Sequence, residues 1–241
     1  VVHTSNDSVW LRTNWDAPNE MVIMARLNEP NKLTEFAPQY DMVLDEVNPL
    51  GKNKLALIYL HNGQNIALVY NLQGELLKRI DFPKGKKVRN FYEDEDVSHT
   101  DFKVSSFFHP DLLYQISLQD LTYKPVEALS VPYDVLNLET RYVSYPSKDG
   151  TEISMYLTCR KDIKLNGKNP VLLYGYGGYG HIVEPFYRQS NALFIAHGGI
   201  LAVPNIRGGG AKGDDWALSG RRLNKQNAID DCLLYTSPSP R

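Results

Sequence analysis

Six consecutive residues, Gly175-Tyr176-Gly177-Gly178-Tyr179-Gly180, set two phenols in a glycine-rich loop directly after the apolar run Val171-Leu172-Leu173-Tyr174. The spacing is G-x-G-x-x-G after a strand, which invites a dinucleotide reading: glycines would let a pyrophosphate approach the backbone. That chemistry also needs an acid about 20 residues further on to hold a ribose. Between Glu184 and Asp214 there is no Asp or Glu, and the next apolar strand ends in Pro204-Asn205. No NAD or FAD site is expected. Gly208-Gly209-Gly210-Ala211-Lys212-Gly213 hints at a phosphate loop but lacks the Walker spacing, and a tight turn after a strand accounts for it.

The loop at 175–180 has a second chemical reading. A glycine-rich loop after an early strand supplies one oxyanion-hole donor in α/β-hydrolases, and the residue after the nucleophile supplies the other. A hydroxyl in such a loop would donate to the oxyanion, an effect worth about 3 kcal/mol per donor. The plainer alternative is that Tyr174, Tyr176 and Tyr179 pack as aromatics near the top of a sheet, and the residues alone favour it. A nucleophile should follow on a G-x-S-x-G elbow, and the sequence contains none. Ser219 lacks the leading glycine and a strand before it, and Ser190 is expected mid-helix. None of the six histidines (His3, His61, His99, His109, His181 and His197) stands in the order Ser, acid, His. His197 reads as a helix C-terminal residue favoured by the dipole.

These residues need elements to hold them. Up to about residue 125 the chain reads as strands and turns. Residues 9–13 and 21–27 are β-prone; 55–60, 66–70 and 75–80 are three strands joined at Asn62-Gly63 and Gln73-Gly74, an antiparallel meander. A further pair is expected at 103–108 and 112–118, turning at His109-Pro110-Asp111. Propeller blades and a β-sandwich fit this pattern equally. The acidic run Glu93-Asp94-Glu95-Asp96 reads as a solvated loop. Pro125 and Pro132 mark an expected linker at 123–137. Residues 141–145 and 152–159 flank a hairpin turn at Ser147-Lys148-Asp149-Gly150. Residues 171–174 are expected as a strand buried on both faces, 185–197 as a helix stopped by Gly198-Gly199, and 200–203 as another strand. Strand, loop, helix, strand makes a βαβ unit and a parallel sheet.

The 241 residues suffice for one or two domains. With 26 Lys and Arg against 28 Asp and Glu the net charge is −2, so no broad basic field exists for nucleic acid or an anionic membrane. No apolar run approaches the ~18 residues of a membrane span. Cys159 and Cys232 are too few for a disulfide framework or a four-ligand zinc site, and such low cysteine usage fits a reducing compartment.

Tyr145-Pro146-Ser147-Lys148-Asp149-Gly150-Thr151, Leu173-Tyr174-Gly175-Tyr176-Gly177-Gly178, Pro204-Asn205-Ile206-Arg207-Gly208-Gly209-Gly210 and Asn224-Lys225-Gln226-Asn227 together resemble prolyl oligopeptidase in motif, order and approximate spacing. The resemblance covers about residues 9–231 and is densest after Arg141. It implies an α/β-hydrolase fold, incomplete here, preceded by the last blades of a β-propeller. The implied domains are 1–125 for the blades and 126–231 for the N-terminal part of the hydrolase domain. It implies a cytoplasmic serine peptidase that cleaves short peptides after proline, with Tyr176 as the catalytic oxyanion donor and Tyr179 as a substrate-binding residue near the proline pocket. The family's Ser, Asp and His would lie beyond Asn224–Asn227, so the 241 residues alone are expected to be inactive. Short peptides are the expected partners; nucleic acid, membrane, metal and cofactor are not expected, and the full-length protein is expected to be a monomer. Departures exist: Ala211-Lys212 replaces a usual Glu-Tyr pair, and Tyr179 replaces Phe. A relative of the oligopeptidase B type, cleaving after basic residues, is the runner-up, although it usually has Ser at the position of Gly178 and lacks the Asn224–Asn227 pattern. A non-enzymatic propeller module is the alternative from another class. Residues 232–241 read as the translation of a sequencing adapter, with Pro238 and Pro240 breaking any helix.

Overall fold

The computed structural model describes residues 1–92, 98–127 and 130–236. The acidic run 93–96 and the prolines at 238 and 240 lie outside the described residues. The chain divides into two units. One carries β1 (His3–Ser5), β2 (Ser8–Thr13), β3 (Met21–Arg26), β4 (Glu29–Ala37), β5 (Val43–Pro49), β6 (Lys54–His61), β7 (Gln64–Asn71), β8 (Leu76–Asp81), β9 (Lys87–Arg89), β10 (His99–Ser105), β11 (Leu112–Ser117) and β12 (Tyr123–Glu127). The other takes in Lys84–Lys87, Ser105–Asp111 and the chain after β12.

The first unit is three open four-stranded sheets, ordered β1-β2-β3-β4, β5-β6-β7-β8 and β12-β11-β10-β9. Each is an antiparallel meander of sequential strands. The β6–β7 hairpin shows why the sequence folds this way. Asn62 and Gly63 both adopt positive φ, 49° and 74°, as a tight two-residue turn demands. Six consecutive residues of each strand are buried, and their alternation sorts them to opposite faces. Leu55, Leu57, Tyr59, Ile66, Leu68 and Tyr70 join Trp10, Val22 and Phe36 in one core. Ala56, Ile58, Ala67 and Val69 join Phe82, Phe102, Val104 and Ile116 in another. A sheet covered on both faces needs a continuous apolar run, and each large side chain so buried stabilises the fold by about 1.5–3 kcal/mol.

Two expectations in this unit are corrected. The stretch 123–137 is not all linker, because β12 pairs with β11 and Tyr114 stands opposite Pro125. Pro125 is tolerated because β12 is an edge strand, where a missing N–H breaks no ladder. Strands β4 and β5 have no counterpart in the sequence reading; β4 is polar and exposed over its first seven residues, so it lacks an apolar signal.

The second unit is built on β13 (Leu138–Pro146), β14 (Glu152–Arg160), β15 (Val171–Leu173) and β16 (Ile200–Pro204), in the order β13-β14-β16-β15. β13 and β14 form the hairpin expected around Ser147–Gly150. β15 runs parallel to β16, with α1 (Gln189–Ala196) between them in the chain, which is the expected βαβ unit. α2 (Gly213–Leu218) and α3 (Lys225–Thr236) follow. Phe107, Phe108, Leu138, Tyr156, Val183, Ile195, Leu201 and Val203 form this unit's core.

Here too the structure departs from expectation. β16 is buried throughout, but Val171 and Leu172 are 48% and 42% exposed. β15 is the edge of its sheet, paired with β16 alone among the described strands. The helix is shorter than 185–197: residues 185–188 are not helical, and Ser190 falls in the first turn rather than mid-helix. His197 caps the C-terminus, with Gly198 following at φ 95°. Among the described residues no helix is long and apolar enough to cross a membrane.

Candidate functional site

The 175–180 loop leaves β15 and turns back over the segment that follows β16. Gly177 adopts φ 54°, and a Cβ there would lie 2.6 Å from Ile206 Cδ1 and 2.9 Å from the Arg207 carbonyl oxygen. Only glycine satisfies both the left-handed backbone and the lack of room. Gly208, at φ 91°, is the reciprocal case, since its Cβ would lie 2.5 Å from the Gly177 carbonyl oxygen. Backbone bonds lock the loops together: Gly180 N–H donates to Gly208 O at 3.0 Å, Gly210 N–H to His181 O at 3.2 Å, and Gly208 N–H to Trp216 O at 3.0 Å. The second glycine run is therefore a turn that packs against the first.

Tyr176 stands on this platform, 46% exposed. Its ring meets His181 edge to face at 5.7 Å, and a Cβ on Gly178 would lie 3.6 Å from Tyr176 Cε1. The phenol oxygen makes no hydrogen bond to any described residue. Tyr174, by contrast, packs against the core and on Phe186. Tyr179 is 98% exposed and sits at φ 57°, an unfavourable backbone for a bulky side chain. The structure thus brings Tyr176 and Tyr179 onto one loop and leaves each phenol open to solvent. Ser219 donates to the Trp216 carbonyl at 2.8 Å. Among the described residues no cluster of His, Cys, Asp and Glu could hold a metal ion, and Cys159 and Cys232 are free.

What holds the platform is a polar cluster that sequence reasoning missed. Arg207, 5% exposed, donates through its backbone N–H to Asp231 Oδ2 at 2.9 Å and through Nη2 to Oδ1 at 2.6 Å. The Asp231 carboxylate is fully buried and also accepts from Ser147 Oγ at 2.6 Å, while its backbone carbonyl accepts from Tyr145 OH at 2.7 Å. Arg207 Nη1 reaches outward to Asp149 Oδ2 at 2.6 Å. Arg207 holds the Asp149 carboxyl well below the usual carboxylate range, helped by the backbone and hydroxyl of Thr151. Bonds to Asp231 and then Asp149 raise the Arg207 guanidinium in turn. Three stretches far apart in sequence, 145–151, 205–210 and α3, are one structural tie.

The Asn224–Asn227 motif is a second tie. Asn227 Nδ2 donates to Ser219 O at 2.9 Å, and Lys225 Nζ donates to Gly177 O at 2.5 Å. Both groups could be found only by their shared order along the chain, since no local pattern says what they touch.

Comparison with known proteins agrees with this architecture. The profile of the prolyl oligopeptidase N-terminal β-propeller domain matches residues 1–128, and that of the prolyl oligopeptidase family matches residues 185–237. The open four-stranded meanders of the first unit fit that propeller domain. A prolyl endopeptidase of Elizabethkingia meningoseptica is 28% identical over 97% of this chain and 33% of its own length. The dual function macrocyclase-peptidase POPB of Amanita bisporigera is 33% identical over 97% of this chain and 33% of its own. A solved prolyl endopeptidase superposes with a TM-score of 0.88 at 31% identity, covering 96% of this chain and 34% of its own. Prolyl oligopeptidase B of Galerina marginata, bound to a 35mer hydrolysis and macrocyclization substrate, gives 0.86 at 29% identity over 96% of this chain and 33% of its own. The chain spans about a third of the length of the curated relatives it matches. With one profile spanning more than half of its residues and relatives aligned along nearly all of it, the chain belongs to the prolyl oligopeptidase family.

Proposed function

We propose that this chain forms part of a serine-type peptidase that cleaves short peptides on the C-terminal side of proline. In this reading the first unit contributes blades of a propeller. The second unit begins an α/β-hydrolase sheet, a reading supported by the order β13-β14-β16-β15 and the parallel β15–β16 crossover. The observation that carries the proposal is Tyr176: a half-exposed phenol, on a glycine platform after β15, with no hydrogen-bond partner among the described residues. Its O–H is free to donate to a carbonyl oxygen as that oxygen gains negative charge. Such a donor accounts for about 10²–10³-fold in kcat.

The reading assigns no nucleophile to these residues. Ser98 Oγ and His99 Nδ1 lie 2.8 Å apart, but they are exposed chain neighbours and no described carboxylate holds the ring's other nitrogen. Oxyanion stabilisation without an attacking group does not hydrolyse peptides. The purified 241 residues are therefore expected to leave a fluorogenic proline reporter peptide intact, and hydrolysis of it would overturn this part of the proposal. In the protein encoded by the complete coding sequence, Tyr176→Phe should lower kcat for that reporter by about 10²-fold or more with little change in KM. An unchanged kcat would remove Tyr176 from the mechanism. A reporter with a basic residue before the scissile bond separates the oligopeptidase B-like alternative, and inactivity of the complete protein toward both would favour a binding module.

A further inference from the structure

We infer that Lys225 is a positioning residue for the Tyr176 loop, a role that rests on the oxyanion reading above. Lys225 opens α3, where a cation faces the positive end of the helix dipole and is disfavoured by a few tenths of a kcal/mol. No described carboxylate pairs with it. Its ammonium instead donates to the Gly177 carbonyl oxygen at 2.5 Å. That carbonyl belongs to the peptide unit joining Gly177 to Gly178, and both ends of the unit are constrained. Gly177 is pressed against Ile206 and Arg207, while the Tyr176 ring lies within 3.6 Å of where a Gly178 Cβ would be. A trans peptide sends its N–H to the side opposite its C=O. Holding the carbonyl toward α3 therefore turns the Gly178 N–H away from it, and that N–H has no partner among the described residues. The ammonium fixes the floor on which the phenol rests. Without it, the 177–178 peptide keeps only its packing against Ile206, Arg207 and Gly208, its carbonyl can tilt, and the phenol shifts relative to a substrate carbonyl. Displacement of a catalytic group by about 1 Å costs up to ~10²-fold in rate.

The test uses Lys225→Met, which keeps the stem and removes the charge, and Lys225→Arg, which restores a donor. In the complete peptidase, with the proline reporter peptide, K225M should lower kcat about tenfold, leave KM within about twofold and leave the thermal midpoint in place. K225R should recover kcat to within about threefold of the parent. In the 241-residue chain labelled with 15N, K225M should shift the Tyr176 and Gly178 amide resonances and speed Gly178 exchange, with α1 and β14 unmoved. If Y176F abolishes turnover while K225M turns over like the parent, the oxyanion reading stands and the role of Lys225 falls. If Y176F turns over normally, the oxyanion reading falls, and the amide data decide Lys225 separately: an unperturbed loop in K225M overturns the inference, and a perturbed one rescued by K225R upholds it.

Discussion

Asp231 is where the chemistry of single residues decides most. Its carboxylate is out of solvent, and its stability rests on Arg207 and Ser147. Removing one partner of a buried, hydrogen-bonded ion pair leaves the other charge unpaired, which costs about 3–5 kcal/mol. Asp231→Ala should fall toward the lower end, about 3 kcal/mol, because Arg207 keeps Asp149, and urea unfolding of the variant and the parent measures the difference. A loss below about 1 kcal/mol would mean that the tie contributes little. Tyr179 argues the opposite way. It holds φ 57° with its side chain almost wholly in solvent, so the fold gains little from the ring. Tyr179→Gly should raise the unfolding free energy or leave it unchanged, the gain reaching about 1 kcal/mol. A clear loss of stability would show that the ring has a contact that offsets its backbone.

At the scale of elements, two apolar runs that look alike in sequence meet different surroundings. Leu57 in β6 is fully buried in the core shared with the β1–β4 sheet, and Leu172 in β15 is 42% exposed on an edge strand. Leu57→Ala should therefore cost about 3 kcal/mol, by lost transfer and a cavity, while Leu172→Ala should cost less than about 1 kcal/mol. Equal costs would mean that β15 is covered. The comparison also marks what was legible in the sequence. A run such as 55–60 with Asn62-Gly63 behind it specifies a strand and its turn, because both signals are local. It does not say which faces are covered, which depends on strand order. β4 and β12 were missed for the converse reason: edge strands are polar or carry proline, as with Pro30 and Pro125, and so resemble loops. The early residues of the expected α1 failed differently. Phe186 has the right spacing for a helix, but it serves the core beside Phe107 and under Arg188 while the chain is still extended.

At the scale of the whole chain, the two units are held by different physics, and acid should separate them. The first unit rests on two apolar cores that no proton reaches. Its acid-sensitive points are the β11–β12 turn, where Ser117 and Thr122 hold the Asp120 carboxyl down at about 2, and the end of β8, where the Arg79 guanidinium holds the Asp81 carboxyl below its ordinary value. The second unit depends on the cluster around Arg207, and the candidate site was legible only in part because of it. The loop at 175–180 announces itself by glycine spacing, but its support lies in Asp149, Arg207 and Asp231, which nothing local brings together. Arg207 depresses the folded-state Asp149 carboxyl, so the stability it adds is fully present above the unfolded value of about 3.9 and is lost as pH falls through the folded value. Asp149 is 48% exposed, so solvent and salt screen this contribution. As pH is lowered from 5 to 3, protection against amide exchange, taken relative to the intrinsic rate at each pH, should fall at 147–151, 205–210 and in α3, at the β11–β12 turn and at the end of β8, while β6 and β7 remain protected. In Asp149→Asn the first three segments should exchange faster already at pH 7, and the gap from the parent should begin to narrow below about pH 4 and go on narrowing toward the depressed folded value. A gap that stayed constant down to pH 3 would mean that Asp149 is held by shape and not by charge, and that the electrostatic account of the platform is wrong.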